Sequence, residues 1–180
     1  FKIAPDLNTD IGVVDILSPS NATMSTTQPV TILVRNFGID PVSGIPVEFQ
    51  LDGGTALMGT ISDELAPGEI YEYTFAETVD ASVQGQIYEL YSRTTLNIDQ
   101  DPDNDDYSDA VTHLMPNDLG VIAISEPAID DILPNEEDVT VTIKNFGGTT
   151  HENFEINFSV NGGLATTEIV PGPLAPLETM

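Results

Sequence analysis

The stretch VTILVRNFG, residues 30–38, returns later in the chain as VTVTIKNFG, residues 139–147. In both copies every second residue is Val or Ile up to the basic residue, and the run ends at Asn-Phe-Gly. A period of two indicates a β-strand with one buried face, and Asn-Phe-Gly is typical of a turn that closes such a strand. Duplication of this strand predicts a duplicated β-domain, because internal repetition is the signature of a repeat architecture.

Three further blocks recur in register between the two copies, with one inserted residue after the first block. They are DIGVVDILSP (residues 10–19) with DLGVIAISEP (118–127), DGG (52–54) with NGG (161–163), and LAPGE (65–69) with LAPLE (174–178). Met180 aligns with Tyr71, so the second copy has no counterpart of residues 72–114. A sandwich without those strands would expose apolar faces and open edges, and we expect the native polypeptide to continue.

Each copy is predicted to be all-β. The first copy contains about seven short alternating segments in roughly 105 residues, the size of an immunoglobulin-like or fibronectin III-like β-sandwich. The Asp-Gly-Gly and Asn-Gly-Gly blocks are predicted hairpin turns. The domain prediction is residues 1–9 as a linker or the tail strand of a preceding module, 10–116 as repeat 1, and 117–180 as an incomplete repeat 2.

Charge and composition exclude several classes of function. The chain of 180 residues carries 30 acidic and four basic side chains, for a formal net charge of −26. A surface this negative repels phosphate backbones and anionic lipids, and we therefore expect no binding to nucleic acid or to membrane surfaces. The sequence has no run of about 18 apolar residues, and we expect no membrane insertion. There are no cysteines, which removes disulfides, zinc–thiolate sites and thiol nucleophiles.

The sequence motifs of the strands and turns resemble those of a known family. The opening D-[IL]-G-V, the strand V-T-[IV]-x-[VI]-[RK]-N-F-G, the turn L-A-P-x-E and the loop DPDNDD (residues 101–106) are similar to CARDB-type bacterial Ig-like domains, related to cell adhesion. The pattern is similar to the versions in large secreted surface proteins of Bacteroidetes. The resemblance implies an extracellular repeat module, found in adhesins and as a spacer in secreted enzymes, and it brings no catalytic residues.

One acidic loop is the candidate metal site. Alternating carboxylates in DQDPDNDD, residues 99–106, are the oxygen ligands that Ca²⁺ prefers. The loop does not fit an EF-hand, since Asn104 stands where that motif needs Gly and Ala110 where it needs Glu. The alternative is a solvated turn between two strands, in which Pro, Asp and Asn are ordinary residues. The candidate calcium ligands are Asp99, Asp101, Asp103, Asp105 and Asp106.

No catalytic constellation accompanies this loop. His113 and His151 stand alone in sequence and are predicted to be strand-end and loop residues, and no nucleophile elbow or phosphate loop is present. The acidic clusters at residues 130–131 and 136–138 are predicted to be solvated, because repeat 1 has no charged counterparts. We therefore expect no enzymatic activity and no cofactor, calcium excepted.

The expected function is structural or adhesive. Modules joined by short linkers favour a semi-rigid rod, as in a stalk, filament or adhesin at the cell surface or outside the cell. The expected partners are neighbouring modules of the same chain, together with attachment or secretion machinery or other surface proteins. The alternative is an accessory binding or spacer module of a secreted hydrolase whose catalytic domain lies outside these residues.

Overall fold

A computed structural model of the protein describes residues 7–127 and 137–180. These residues form eleven β-strands, and none of them lies in a helix that could cross a membrane. The chain divides into two compact units, Phe1–His113 and Leu114–Met180, close to the predicted boundary. The predicted tail strand at residues 1–9 falls mainly outside the described residues, as do acidic residues 130, 131 and 136.

Unit 1 contains seven antiparallel strands in two sheets. They are β1 (Ile11–Ser18), β2 (Thr31–Asn36), β3 (Ile45–Leu51), β4 (Leu57–Ile61), β5 (Ile70–Thr74), β6 (Ile87–Thr94) and β7 (Asp106–Thr112). One sheet has the order β1-β2-β5 and the other β4-β3-β6-β7. Both sheets contribute buried apolar residues to one cluster, the arrangement of a β-sandwich.

The core of unit 1 follows from the alternation in its strands. Ile32 and Val34 on β2 and Val47 and Phe49 on β3 are fully buried, while the residues between them on β2 are less so. Phe75, just beyond β5, lies 6.2 Å from the Phe49 ring, centroid to centroid. β6 and β7 supply further inward side chains, including Tyr88 and Leu90 on β6 and Val111 on β7.

Unit 2 repeats the first four strands with the same pairing. They are β8 (Leu119–Glu126), β9 (Thr140–Asn145), β10 (Phe154–Phe158) and β11 (Thr166–Val170). Ile11 pairs with Asn36 as Leu119 does with Asn145, and β8 has irregularities at the positions of those in β1. The all-β prediction of tandem sandwiches, the second of them incomplete, is confirmed.

The two glycine-rich turns have the predicted conformation. Asp52 and Gly53 have φ angles of 51° and 64°, and Asn161 and Gly162 have 51° and 72°. Positive φ at two successive residues suits the tight turn between β3 and β4 and between β10 and β11, because it matches the twist of the strands.

Candidate functional site

The predicted calcium loop, residues 99–106, connects β6 to β7. Both oxygens of the Asp99 carboxylate accept backbone hydrogen bonds, Oδ2 from Ile11 N–H at 2.7 Å and Oδ1 from Asp101 N–H at 2.9 Å. Asp101 Oδ1 in turn accepts a bond from the N–H of Asp103 at 3.3 Å. These carboxylates therefore close turns in their own loop and hold one strand of the opposite sheet.

The same loop is anchored to the segment that leads into β1. Gln100 Oε1 accepts hydrogen bonds from the N–H groups of Asn8 (2.7 Å) and Thr9 (3.1 Å), and Gln100 N–H donates to the Thr9 carbonyl at 3.0 Å. The Thr94 hydroxyl donates to the Ile11 carbonyl at 2.9 Å. The loop thus ties the start of β1 to the sheet that carries β6, which the sequence did not predict.

Asn104 lies at the centre of this contact between the β6–β7 loop and the start of β1, which we call the anchor. Its Nδ2 donates to Oδ1 of the buried Asp10 at 2.8 Å, and its backbone passes directly over Gly12. A Cβ at residue 12 would collide with the Asn104 carbonyl oxygen, so only glycine fits there. Asn104 Oδ1 is buried and accepts no hydrogen bond from the described residues.

Negative charge accumulates at this anchor. Partial burial raises the pKa of Asp105 above its usual range, and the nearby carboxylate of Asp99 raises it further, with smaller effects from Asp10 and Asp106. The Thr94 hydroxyl, 3.2 Å from Asp105 Oδ1, acts in the opposite direction. Among the described residues, no group of three or more Asp, Glu and His side chains is arranged to hold a metal ion. Calcium binding by Asp99, Asp101, Asp103, Asp105 and Asp106 stays a prediction.

A buried asparagine organises the end of β2 that pairs with the start of β1. Asn36 is completely buried, and its Nδ2 donates to the carbonyl oxygens of Asp40 and Leu65, both at 2.9 Å. Its Oδ1 accepts the N–H of Gly38 at 2.9 Å. One side chain thereby joins three backbone segments, and each polar atom it buries is paired.

Unit 2 contains the same arrangement at Asn145. Nδ2 donates to the carbonyl oxygens of Thr149 at 2.8 Å and Leu174 at 3.1 Å, and Oδ1 accepts the N–H of Gly147 at 2.9 Å. The repeated block LAP supplies the buried leucine in both units. The sequence prediction treated Asn-Phe-Gly only as a strand ending. The sequence does indicate a buried asparagine here, because Asn36 occupies the next inward-facing position of the strand after Val34.

Three of the four basic residues lie in the described part of the chain, and each has a local partner. The Arg35 guanidinium lies 4.9 Å from the centre of the Phe37 ring, and Lys144 Nζ lies 5.1 Å from that of Phe146. Arg93 donates to Glu48 Oε2 at 3.0 Å, the one ion pair among these residues. The remaining acidic surface is therefore not neutralised by lysine or arginine in the described part.

The two histidines occupy structural positions, as predicted. His113 follows β7, is almost completely buried, and has Nδ1 2.8 Å from the Ala81 carbonyl oxygen. His151 lies between β9 and β10, where its backbone pairs with Leu174. Neither belongs to an ion pair or a candidate metal group among the described residues.

Two depressions lie on the described surface. The first, of about 420 Å³, is beside the acidic loop and is lined by polar residues that include Arg93, Asp105 and Asp106. The second, of about 620 Å³, lies between the β8–β9 pair and the β10–β11 pair, and we call it the open groove. The open groove is lined by Val121, Ile124, Glu137, Asp138, Val139, Val141, Ile156, Asn157, Phe158, Ser159, Thr166 and Glu168.

The comparisons with known proteins assign a family. The family model of CARDB matches residues 4–105, more than half of the chain. This chain belongs to the CARDB family. CARDB domains form a family of non-catalytic modules. No curated protein sequence matches the chain.

Two solved structures are similar to this chain at low sequence identity. A domain of a Methanosarcina acetivorans protein, described as a cell surface protein, is 17% identical with a TM-score of 0.50, and the match covers 60% of this chain and 94% of that one. The CARDB domain of a Pyrococcus furiosus protein, solved in complex with di-metal ions, is 18% identical with a TM-score of 0.48. That match covers 62% of this chain and 93% of that one.

Proposed function

We propose that this chain is a non-catalytic structural repeat of a long secreted or cell-surface bacterial protein, with a mechanical or adhesive role. The observation that carries the proposal is the duplicated framework. Asn36 and Asn145 make the same three hydrogen bonds in two units, and the strand pairs around them share one register. Such duplication favours a load-bearing series of modules, which needs repeated folds and no catalytic cleft.

The anchor between β1 and the β6–β7 loop supports a mechanical role. Force on a β-sandwich is resisted by the hydrogen bonds that hold its terminal strands, and β1 is the first strand of unit 1. Besides its ladder with β2, β1 is held by Asp99 at Ile11 N–H and by Thr94 at the Ile11 carbonyl. These side-chain bonds join β1 to the sheet β4-β3-β6-β7. Because β1 also pairs with β2, both sheets resist the removal of β1.

The surface charge supports separation between neighbouring chains. The net charge is −26, and the basic residues of the described part are engaged locally. Rods of like charge repel within about a Debye length, roughly 10 Å at 0.1 M salt. Negative charge thus keeps parallel modules from aggregating while partners attach at specific surfaces, including attachment or secretion machinery.

Single-molecule force spectroscopy of the 180-residue chain tests the mechanical role. We expect one distinct force peak for unit 1, with a contour-length gain of about 35 nm for roughly 105 residues extended at 3.3–3.6 Å each. The variant Asp99→Ala, which removes two bonds of the anchor, should lower that force while leaving the gain in length unchanged. Extension without a force peak would contradict a load-bearing function.

The alternative is an accessory module of a secreted hydrolase. The polar depression beside Arg93, Asp105 and Asp106 is the surface that such a binding function would use. The complete sequence of the natural protein distinguishes the two roles. Many further copies of the repeat favour a stalk or adhesin, whereas an adjoining catalytic domain favours the accessory role.

Calcium stiffening of unit 1 is a further candidate, favoured by the carboxylates of Asp99, Asp10 and Asp106 near Asp105, whose pKa is raised first by partial burial and then by the Asp99 charge. Thermal unfolding with millimolar CaCl₂ and with chelator, at matched ionic strength, tests it. A ligand that binds only the folded state raises Tm as its concentration exceeds Kd. A saturable rise specific to Ca²⁺ that Asp105→Asn abolishes would support the site. Equal Tm values would leave the loop a purely structural anchor.

A further inference from the structure

Aromatic, apolar and polar side chains meet in the depression beside the β6–β7 loop, which we call the polar depression. Its volume of about 420 Å³ lies within the range of about 300–1,000 Å³ that is typical of pockets for small molecules. Leu96 and Pro102 supply apolar surface, and Thr95 and Asn97 add a hydroxyl and an amide. The calcium hypothesis involves only the carboxylates of this lining, which leaves its other groups unexplained.

Tyr91 provides an aromatic surface to the polar depression. Its neighbours on β6, Leu90 and Ser92, are buried, whereas Tyr91 is partly exposed, so its ring faces outward from the sandwich. The residues beside it on β7 are small, since Tyr91 pairs with Ser108, and Ala110 lies two residues further on. Both are exposed and neither is large enough to cover the ring. Part of the ring is therefore accessible to a ligand.

Arg93 is a hydrogen-bond donor that the fold holds in place. Its Nη2 donates to Glu48 Oε2 at 3.0 Å, and the Glu48 side chain is only 9% exposed whereas that of Arg93 is 45% exposed. A guanidinium carries five N–H donors in a rigid plane, so those that Glu48 does not use can bind a ligand in the polar depression. Because the ion pair fixes the guanidinium beforehand, little side-chain entropy is lost on binding.

The charge around the polar depression restricts the class of ligand. Asp105 and Asp106 belong to its lining, and Asp106 lies directly across from Arg93 on the neighbouring strand. These carboxylates and the net charge of −26 repel an anion. Arg93 disfavours a cation and supplies the donors that the carboxylates lack. A neutral ligand that donates and accepts hydrogen bonds and also has an apolar face satisfies all of these groups, and a saccharide is such a ligand.

We propose that the polar depression binds a neutral saccharide. The C–H groups on one face of a pyranose ring pack against Tyr91, a hydroxyl oxygen accepts hydrogen bonds from Arg93, and a hydroxyl group donates to the carboxylate of Asp106. This inference rests on the adhesive role proposed above and deepens it, because it names the class of ligand. A single aromatic ring predicts weak binding, with a Kd on the order of 1 mM.

Two-dimensional ¹H–¹⁵N NMR of the 180-residue chain tests the proposal. The probes are glucose, galactose, mannose, N-acetylglucosamine, maltose and cellobiose, each titrated well beyond the expected Kd at constant pH. We expect at least one of them to shift the amide signals of residues 91–97 and 102–108 saturably, while the signals of unit 2 stay in place. The affinity should not depend on salt concentration, because the ligand is neutral.

Variants at two neighbouring positions assign the effect to the tyrosine ring. Tyr91→Ala should weaken binding by about tenfold or more, whereas Tyr91→Phe, which keeps the ring, should bind within about threefold of the original chain. Ser108→Arg is a second test that removes no packing, because its guanidinium stacks on the adjacent Tyr91 ring and occupies the place of the ligand. It should abolish the shifts in a chain whose spectrum is otherwise that of the folded protein.

A peptide of three lysines and glucuronate serve as the charged probes. Saturable shifts with either of them and with none of the neutral saccharides would overturn the proposal, as would no shift with any probe. A folded Tyr91→Ala variant that binds as tightly as the original chain would also overturn it. None of these results alters the force peak expected for unit 1, so failure of the saccharide site and failure of the mechanical role are measured separately.

Discussion

Unit 1 and unit 2 share strand register, glycine turns and a buried asparagine, yet their apolar faces differ in burial. Near Asn36 and Asn145 the units are alike, and Leu65 and Leu174 are both buried. Toward the other end of β3 and β10 they diverge, since Phe49 is enclosed and Phe158 is more than one-third exposed. The local sequence therefore sets strand pairing, whereas burial depends on the strands that cover the other side of the sheet.

This difference separates two sources of stability within one fold. The asparagine, the Leu-Ala-Pro turn and the Ile143 position need only the strands present in both units. The aromatic contact between Phe49 and Phe75 and the anchor at Gly12 need β5 to β7 and their loops. Matched substitutions in the two units can thus measure what the covering strands contribute.

Phe49→Ala and Phe158→Ala should give the largest contrast. Removing a buried Phe side chain costs about 3–5 kcal/mol, because it loses apolar burial and leaves a cavity, whereas an exposed Phe loses little. All five tyrosines lie in residues 71–107, so near-UV circular dichroism during urea unfolding reports unit 1. We expect Phe49→Ala to shift that transition strongly. Phe158→Ala is read instead by hydrogen exchange of the amides of β8 to β11, and it should destabilise unit 2 far less. Similar destabilisation of the two units would contradict the difference in packing.

Asn36→Ala should destabilise unit 1 by about 2–3 kcal/mol. It removes three hydrogen bonds to backbone groups, each of which contributes about 0.5–1.5 kcal/mol. The Leu65 carbonyl keeps its bond from Val42 N–H, and Gly38 N–H keeps its bond to the Asp10 carbonyl. The readout is the urea midpoint of the tyrosine signal. Asn8→Ala, which removes only an exposed bond to Asp40, is the matched control and should shift it far less. Equal shifts would show that the three bonds of Asn36 contribute no more than a surface bond.

Gly12→Ala should cost about 1–3 kcal/mol, because the added methyl group collides with the Asn104 backbone and forces the anchor to move. Gly120→Ala in the 180-residue chain meets only the Phe146 side chain, which can shift into solvent. The thermal midpoints of the two variants, each measured on the unit that carries it, check the contrast. A stable Gly12→Ala variant would show that the loop does not press on β1 as described.

Asp105→Asn should give the smallest effect, a modest stabilisation at neutral pH. The pKa of Asp105 is raised in the folded state, so between the unfolded value near 3.8 and the raised value the folded state binds more protons. Stability from this group therefore falls as pH rises through that window. The Tm advantage of the variant should be absent below the window and present above it. Asp103→Asn removes one charge from the same loop and controls for net charge, and an equal advantage there would contradict the assignment.

The period-two pattern predicted the sandwich, because alternating residues such as Val30, Ile32 and Val34 identify the buried face of each strand from its own sequence. Exposure of Ile124 and Phe158 was predictable only through the repeat, by noting which strands of the second copy are missing. The anchor was not predictable. Asp99 and Ile11 are 88 residues apart in sequence, and nothing in either segment indicates that the two meet.

The acidic loop shows the same limit of prediction from sequence. Its composition fits calcium ligands and turn residues equally well, since both use Asp and Asn oxygens. Asp99 uses both of its carboxylate oxygens for backbone N–H groups, and that geometry depends on where β1 lies. Asn36, by contrast, could have been identified, because a polar residue at an inward position of a strand must find buried partners.

Amide hydrogen exchange of the unmodified 180-residue chain tests the contrast between the units most directly. Protection at residues 45–51 should approach that of global unfolding of unit 1, and residues 154–160 should exchange orders of magnitude faster, because β10 has one free edge and an exposed apolar face. Equal protection of the two segments, independent of protein concentration, would contradict the account, since it would mean that unit 2 is already closed.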